Sequence, residues 1–252
     1  TTVIAVPVSA LTGDNVTESS PSLPWYSGPT LLELLDQVEI EPDVDAGARV
    51  QVQTILRTTE FRGYAGVLSS GTLRPGDEIK VSATGRTAVV TRLLALKGEE
   101  PVELDSAVPG QSVAVELDRD IDITRGDLLS AVADAPEPAN RYSADVVWLS
   151  EEPLAHGRSY ILRSGPLEVP TVITAVRHQL DVITGSELAS RSLGINDIGR
   201  VELATNNSVT LDAYTRCHDT GGFILCDRVT GETVAAGLTR YALRRSTNVT
   251  EH

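Results

Sequence analysis

The chain of 252 residues is long enough for one large domain or two ordinary ones, and 41% hydrophobic residues supply a core without disulfide or metal staples. Acids outnumber bases 35 to 21, a net charge of -14, so a phosphate backbone is repelled on average and no basic patch offsets this; Arg244-Arg245 reads as a solvated tail. Apolar runs such as Ala88-Val89-Val90 break within a few residues, where a membrane span needs about 20, and no basic region precedes the apolar start, so a soluble cytoplasmic protein is expected, with no membrane and no nucleic acid among its partners.

Val3 to Val8 reads as a buried strand, followed by the polar turn Ser9-Ala10-Leu11-Thr12-Gly13-Asp14-Asn15 and a loop carrying Pro21, Pro24 and Gly28. Thr30 then caps a helix: Leu31, Leu32, Leu34, Leu35 and Val38 form an apolar stripe, and Glu33 stands three residues after the cap. Strand, loop and helix together are too small to bury their own surface, and residues 1–43 read as the closing part of a larger domain.

From Ala48 onward the pattern changes to alternation, with Val50, Val52, Thr54 and Leu56 on one face. Glycine turns recur at Arg62-Gly63, Ser70-Gly71, Pro75-Gly76-Asp77, Thr84-Gly85, Pro109-Gly110 and Arg125-Gly126-Asp127. Strands are expected between them at 65–68, 78–82, 88–95, 112–117 and 128–130, while Glu99-Glu100 reads as a solvated acid pair. Short strands with frequent turns and no alternating helices predict a closed antiparallel barrel over 44–135. Residues 131–141, with Pro136 and Pro138, predict an extended connector. A second barrel is expected over 136–246, with strands at 141–149, 159–162, 167–182, 198–203, 209–214, 222–227 and 233–240 and a short helical turn within 180–193. The tail 247–252 reads as frayed.

Three sets of residues, in this order, resemble the large GTP-binding subunits of bacterial sulfate adenylyltransferase, elongation-factor-like GTPases built as a G domain followed by two β-barrels. The first is Val8-Ser9-Ala10-Leu11 with Pro24-Trp25-Tyr26-Ser27-Gly28-Pro29-Thr30-Leu31-Leu32, similar to the last guanine-recognition loop and the final G-domain helix. The second is Phe61-Arg62-Gly63-Tyr64-Ala65-Gly66 with Ser70-Gly71-Thr72-Leu73-Arg74-Pro75-Gly76-Asp77 in the first barrel. The third is Asp145 to Leu149, Asn196-Asp197-Ile198-Gly199, Asp219 to Arg228 and Thr233 to Leu238 in the second. The resemblance runs from about Val3 to Val249. It implies a mostly β fold of two antiparallel, translation-factor-like barrels preceded by a short α/β remnant of a G domain. It also implies that a backbone N–H within Ser9, Ala10 and Leu11 contacts the guanine carbonyl oxygen.

The family's phosphate grip is absent from these residues. Neither G-x-x-x-x-G-K-[ST] nor Asn-Lys-x-Asp occurs, so no ring of amides cradles the phosphates and no Lys or Ser/Thr holds their charge or the Mg²⁺. GTP and Mg²⁺ are therefore expected only in the complete protein, with no cofactor on this chain alone. The resemblance further implies coupling of GTP hydrolysis to adenosine 5′-phosphosulfate formation from ATP and sulfate, a smaller ATP-sulfurylase catalytic subunit (CysD type) as partner, and a possible fused adenylylsulfate kinase domain after Arg244 to Val249. A competing reading is a translation-factor fragment that binds aminoacyl-tRNA or a ribosomal partner; a third is a stand-alone interaction scaffold.

No catalytic set emerges besides. His156, His178, His218 and His252 lack metal-ligand spacing, so no metal site is expected. His218 and Asp219, placed side by side on a strand, point to opposite faces. Cys217 and Cys226 read as reduced thiols, with a redox pair across a hairpin left open. Arg125-Gly126-Asp127 reads as a turn rather than an adhesion motif.

Overall fold

The computed structural model describes residues 4–38, 46–57, 61–97, 100–155 and 157–243. The chain forms two compact units, Thr1–Pro42 and Asp43–His252. Both β-barrels lie in the second unit. His156, Glu99, the tail and the Arg244-Arg245 pair lie outside the described residues.

The first barrel is built from β1 (Arg49–Arg57), β2 (Arg62–Ser70), β3 (Glu78–Val81), β4 (Thr87–Lys97), β5 (Glu100–Glu103), β6 (Ser112–Leu117) and β7 (Leu128–Ala131). The strand order is β3-β7-β1-β2-β6-β4-β5, and a further β3–β4 pairing closes six strands into a ring, with β5 appended outside it. All pairings are antiparallel. Inward positions alternate along each strand: Val50 and Val52, Tyr64 and Leu68, Ile79 and Val81, Ala88 and Val90, Val113 and Val115 are all buried. Burial of each Val, Leu or Ile stabilises the ring by about 1.5–3 kcal/mol. β5 was not anticipated; all four of its residues are exposed, so no buried face marks it in the sequence.

A 3-10 turn at Val132–Asp134 leads into the second barrel: β8 (Ala139–Trp148), β9 (Ser159–Ser164), β10 (Leu167–Leu180), β11 (Glu187–Leu188), β12 (Ile198–Val209), α2 (His218–Gly221), β13 (Gly222–Asp227) and β14 (Thr233–Ala242). The order β11-β10-β12-β8-β14-β13-β9, closed by a β9–β10 pairing, again gives a six-strand ring with one appended strand. Its core gathers Tyr142, Trp148, Tyr160, Leu162, Leu203, Phe223 and Leu225. The Trp148 and Tyr160 rings meet edge to face at 5.8 Å, and the Trp148 indole N–H donates to the Glu152 carbonyl at 2.8 Å.

Three expectations are corrected. Residues 4–8 form no strand; the segment meets no neighbouring strand, and Ile4 and Val8 stay 55% and 47% exposed. Residues 210–214 leave the sheet, because Asp212 turns inward to a buried arginine and its N–H bonds the Thr220 carbonyl. By contrast, the single turn expected within 180–193 is present at 181–185 and is not continued into a helix. Asp181 accepts the N–H groups of Ile183 and Thr184, and the hairpin between β10 and β11 closes with Gly185 N–H on the Asp181 carbonyl at 2.7 Å. His218 and Asp219 lie on the short helix α2 rather than a strand, and the His218 ring stacks at 4.5 Å on Tyr214. No helix among the described residues is long and apolar enough to cross a membrane.

Candidate functional site

In the first unit, the residues singled out for base recognition form one compact turn. Ser9 N–H donates to the Asp14 carbonyl at 3.1 Å, and Gly13 N–H returns to the Ser9 carbonyl at 2.8 Å. The Ser9 and Thr12 hydroxyls are hydrogen-bonded at 2.6 Å, with Ser9 the donor because the single Thr12 proton goes to Asp14. The Asp14 carboxylate accepts the hydroxyls of Thr12 and Ser20, and these two bonds hold its pKa below the usual carboxylate range. Asn15 follows with φ 56, and its side-chain N–H donates to the Pro7 carbonyl at 2.8 Å.

The turn is tied to the helix α1 (Leu31–Gln37). The N–H groups of Leu31 and Leu32, which have no partner inside a helix, donate to the carbonyls of Asn15 and Val16 at 3.1 and 3.0 Å. Thr30 completes the end as a capping box. Its hydroxyl accepts from Glu33 N–H at 3.2 Å, and the Glu33 carboxylate accepts from Thr30 N–H at 2.9 Å. Just before it, the Tyr26 hydroxyl donates to the Pro29 carbonyl at 3.0 Å. The Tyr26 ring thereby lies over Gly28, where an added Cβ would sit 2.5 Å from the Tyr26 hydroxyl oxygen. The Trp-Tyr-Ser-Gly-Pro-Thr run is thus a local device for setting the helix start.

Ala10 and Leu11 occupy the outer corner of the turn, and Leu11 is 95% exposed. Among the described residues their N–H groups donate to no backbone or side-chain acceptor, in contrast to those of Ser9, Thr12 and Gly13. Two internally unpaired donors on a fixed turn are able to serve an acceptor oxygen of a ligand. No cluster of three or more metal-ligating side chains occurs among the described residues.

The second unit carries its most organised polar site between the barrels. The Arg49 side chain, on β1, is fully buried. Its Nε pairs with Asp212 at 3.1 Å, and its Nη2 pairs with the Asp134 carboxylate at 3.1 Å and donates to the Asp134 carbonyl at 2.5 Å. Nη1 donates to the carbonyls of Gly47 and Ala48. Asp212 also accepts the Thr220 hydroxyl at 2.7 Å, while Asp134 accepts Gly47 N–H at 2.9 Å and pairs with Arg216. Every guanidinium nitrogen is engaged, which is the condition under which a buried charge is tolerated. This clasp joins the first barrel, the connector and the 210–217 segment of the second barrel. The connector at 131–141 is therefore anchored at Asp134, and only 135–138 run extended before β8.

A second contact joins the barrels at Arg125-Gly126-Asp127. Asp127 accepts Thr124 N–H at 2.7 Å, Gly126 has φ +93, and a Cβ on Gly126 would lie 3.1 Å from Leu167 Cα. The triplet is a turn, as expected, and it abuts the neighbouring barrel. Cys217 and Cys226 are both buried free thiols, and Cys226 Sγ meets the Thr233 hydroxyl at 3.9 Å. An open groove of about 1020 Å³ runs over the first barrel, between Leu56 and Phe61 on one side and Leu94, Leu96 and Pro101 on the other.

Residues 141–240 match the GTP-eEF1A C-terminal domain-like family. Sulfate adenylyltransferase subunit 1 of Vibrio cholerae serotype O1 is 42% identical over 100% of this chain and 52% of its own length. The bifunctional enzyme NodQ of Azospirillum brasilense is 41% identical over 98% of this chain and 40% of its own. The chain thus spans about half the length, or less, of these curated relatives. Among solved structures, Sup35 complexed with GMPPNP aligns with a TM-score of 0.73 at 24% identity, covering 94% of this chain and 58% of that one. Sup35 complexed with GDP gives 0.72 with the same coverage. At that identity the likeness concerns the fold: two closed, translation-factor-like barrels in tandem. Along its whole length, barrels and N-terminal turn alike, the chain is thus similar to sulfate adenylyltransferase subunit 1, at 42% identity.

Proposed function

We propose that this chain is the barrel portion of the GTPase subunit of a sulfate adenylyltransferase, whose complete assembly couples GTP hydrolysis to adenosine 5′-phosphosulfate synthesis from ATP and sulfate in the cytoplasm. The observation that carries this reading is 42% identity to subunit 1 across 100% of the chain, including both the turn and the barrels. In this reading residues 1–43 close the G domain, 44–135 and 136–246 are the two barrels that follow it, and 247–252 are a tail or linker. Ser9, Ala10 and Leu11 supply N–H groups to the guanine carbonyl. The phosphates and Mg²⁺ are held by residues outside this chain, since no phosphate-binding loop occurs within it. GTP bound there supplies the hydrolysis free energy. The barrels dock the smaller ATP-sulfurylase subunit and follow the nucleotide state as one body joined by the Arg49 clasp. Coupling then follows from GTP and the partner preferring the same arrangement.

The test is reconstitution. The complete subunit, mixed with the smaller subunit, is expected to raise pyrophosphate release from ATP and sulfate when GTP is added, whereas residues 1–252 alone leave GTP intact. GTP hydrolysis by the 252-residue chain alone, or release indifferent to GTP in the reconstituted pair, overturns the proposal. Tight, salt-sensitive binding to tRNA would instead favour a translation factor, a reading that the net charge of -14 opposes.

A further inference from the structure

We propose that Asn15 is a positioning residue that sets base selectivity, by holding the 9–14 turn that carries the internally unpaired Ala10 and Leu11 N–H groups. The inference rests on the reading of that turn as the guanine-contacting loop.

Asn15 is 1% exposed, unlike most of the first unit, and it holds a left-handed backbone at φ 56. Asn tolerates that region better than other residues with a side chain. Its side-chain N–H reaches back eight positions to the Pro7 carbonyl at 2.8 Å, fixing the segment that enters the turn. Its own carbonyl accepts Leu31 N–H at 3.1 Å, fixing the turn to the start of α1. One residue therefore pins the entrance of the turn and its attachment to the helix, immediately after the Ser9–Asp14 closure. Without the Pro7 bond, the turn keeps its internal hydrogen bonds but loses its orientation relative to the entering chain.

Selectivity follows from donor and acceptor matching. The two internally unpaired N–H groups can donate to a keto oxygen. An amino group or a bare C–H at the same ring position leaves them unpaired, which is costly once a bound base shields them from water. Their placement, not their chemistry, is what Asn15 controls, since every residue except proline has the same N–H.

The experiment uses the complete GTPase subunit and two nucleotides: GDP, and the 2-aminopurine riboside diphosphate, which lacks the six-position oxygen. Two variants separate the causes. Asn15→Gly keeps the left-handed backbone free of strain and removes only the carboxamide. Asn15→Asp keeps the size but presents an oxygen to the Pro7 carbonyl. The wild type is expected to prefer GDP. Both variants are expected to lose about tenfold in GDP affinity, the size of one well-placed hydrogen bond, with less than about twofold change for the aminopurine nucleotide. If the wild type prefers GDP and the variants keep that preference in full, the positioning role is overturned and the loop reading stands. Equal loss of both nucleotides in the variants also overturns it, because Asn15 then serves folding alone. If the wild type binds the two nucleotides equally, the loop reading itself fails and this inference with it.

Discussion

Replacing Arg49 by methionine keeps much of the aliphatic bulk and removes every polar contact made by the guanidinium. Asp212 is then stranded: its carboxylate is 2% exposed and retains the Thr220 hydroxyl as its remaining side-chain donor. Asp134, 20% exposed, keeps Arg216 and Gly47 N–H and loses less. Removing one partner of a buried ion pair costs about 3–5 kcal/mol, and the surviving Thr220 bond places this case near the lower figure. A loss of about 3 kcal/mol lowers the folding equilibrium constant by roughly 150-fold. Arg49→Lys restores a charge but not the planar fork that serves Asp212, Asp134 and two backbone carbonyls together, so an intermediate loss of about 1–2 kcal/mol is expected. Urea unfolding of residues 1–252, followed by circular dichroism, measures all three proteins. The decisive comparison is the pair Arg49→Met with Asp212→Asn, which removes the stranded charge and is expected to recover at least about 1 kcal/mol over Arg49→Met. A single variant within about 0.5 kcal/mol of wild type, or a double variant no more stable than the single, refutes the account of the clasp as a satisfied buried charge.

Burial pushes the Tyr142 hydroxyl up to about 12, so the neutral form stabilises the fold fully below pH 10, and that contribution is lost as pH rises toward 12. The loss approaches about 2.7 kcal/mol, and Tyr142→Phe is expected to flatten the alkaline limb of a stability–pH profile; an unchanged limb contradicts this. The N–H groups of Thr230 and Val229, with Arg158, hold the Asp227 carboxyl below the usual range. Its contribution is therefore present above about pH 4 and lost as pH falls further, so Asp227→Asn should lower the melting temperature at neutral pH and converge with wild type in acid. Gly126→Ala meets both a positive φ and the Leu167 backbone at 3.1 Å, whereas Gly231→Ala meets only a positive φ, with nothing within 4 Å. Thermal melts should show the Gly126 variant less stable than the Gly231 variant by more than about 1 kcal/mol, and equal losses would deny the close approach of the barrels.

Much of the barrel pattern was legible because alternation and glycine turns are local signals. Val50 and Val52, or Ile79 and Val81, declare their inward face within four residues. The clasp was not legible, since Arg49 reads as an ordinary polar residue flanking a strand and its partners lie 85 and 163 positions away. The same distance explains the error at 210–214. Leu211 and Asp212 alternate as a strand would, yet the aspartate is turned inward for an arginine that no local rule connects to it. The apolar run before Ser9 read as a strand because sequence shows a strand's composition and not whether a neighbour exists to pair with it. At the turn itself, Ser9, Ala10 and Leu11 were found through resemblance. Asn15 stood in plain view as a polar turn residue, but its hold on Pro7 and Leu31 depends on φ and burial, which residue type alone does not disclose.

The span of the Arg49–Asp212 pair, 163 residues along the chain, also orders events during synthesis. A ribosome delivers the first barrel, with Asp134 beside the guanidinium, well before Asp212 has been made. Through that interval the Nε edge that will meet Asp212 keeps its water. Desolvation comes last, when the second barrel closes and docks. The seam between barrels is consequently completed only after the second barrel has formed.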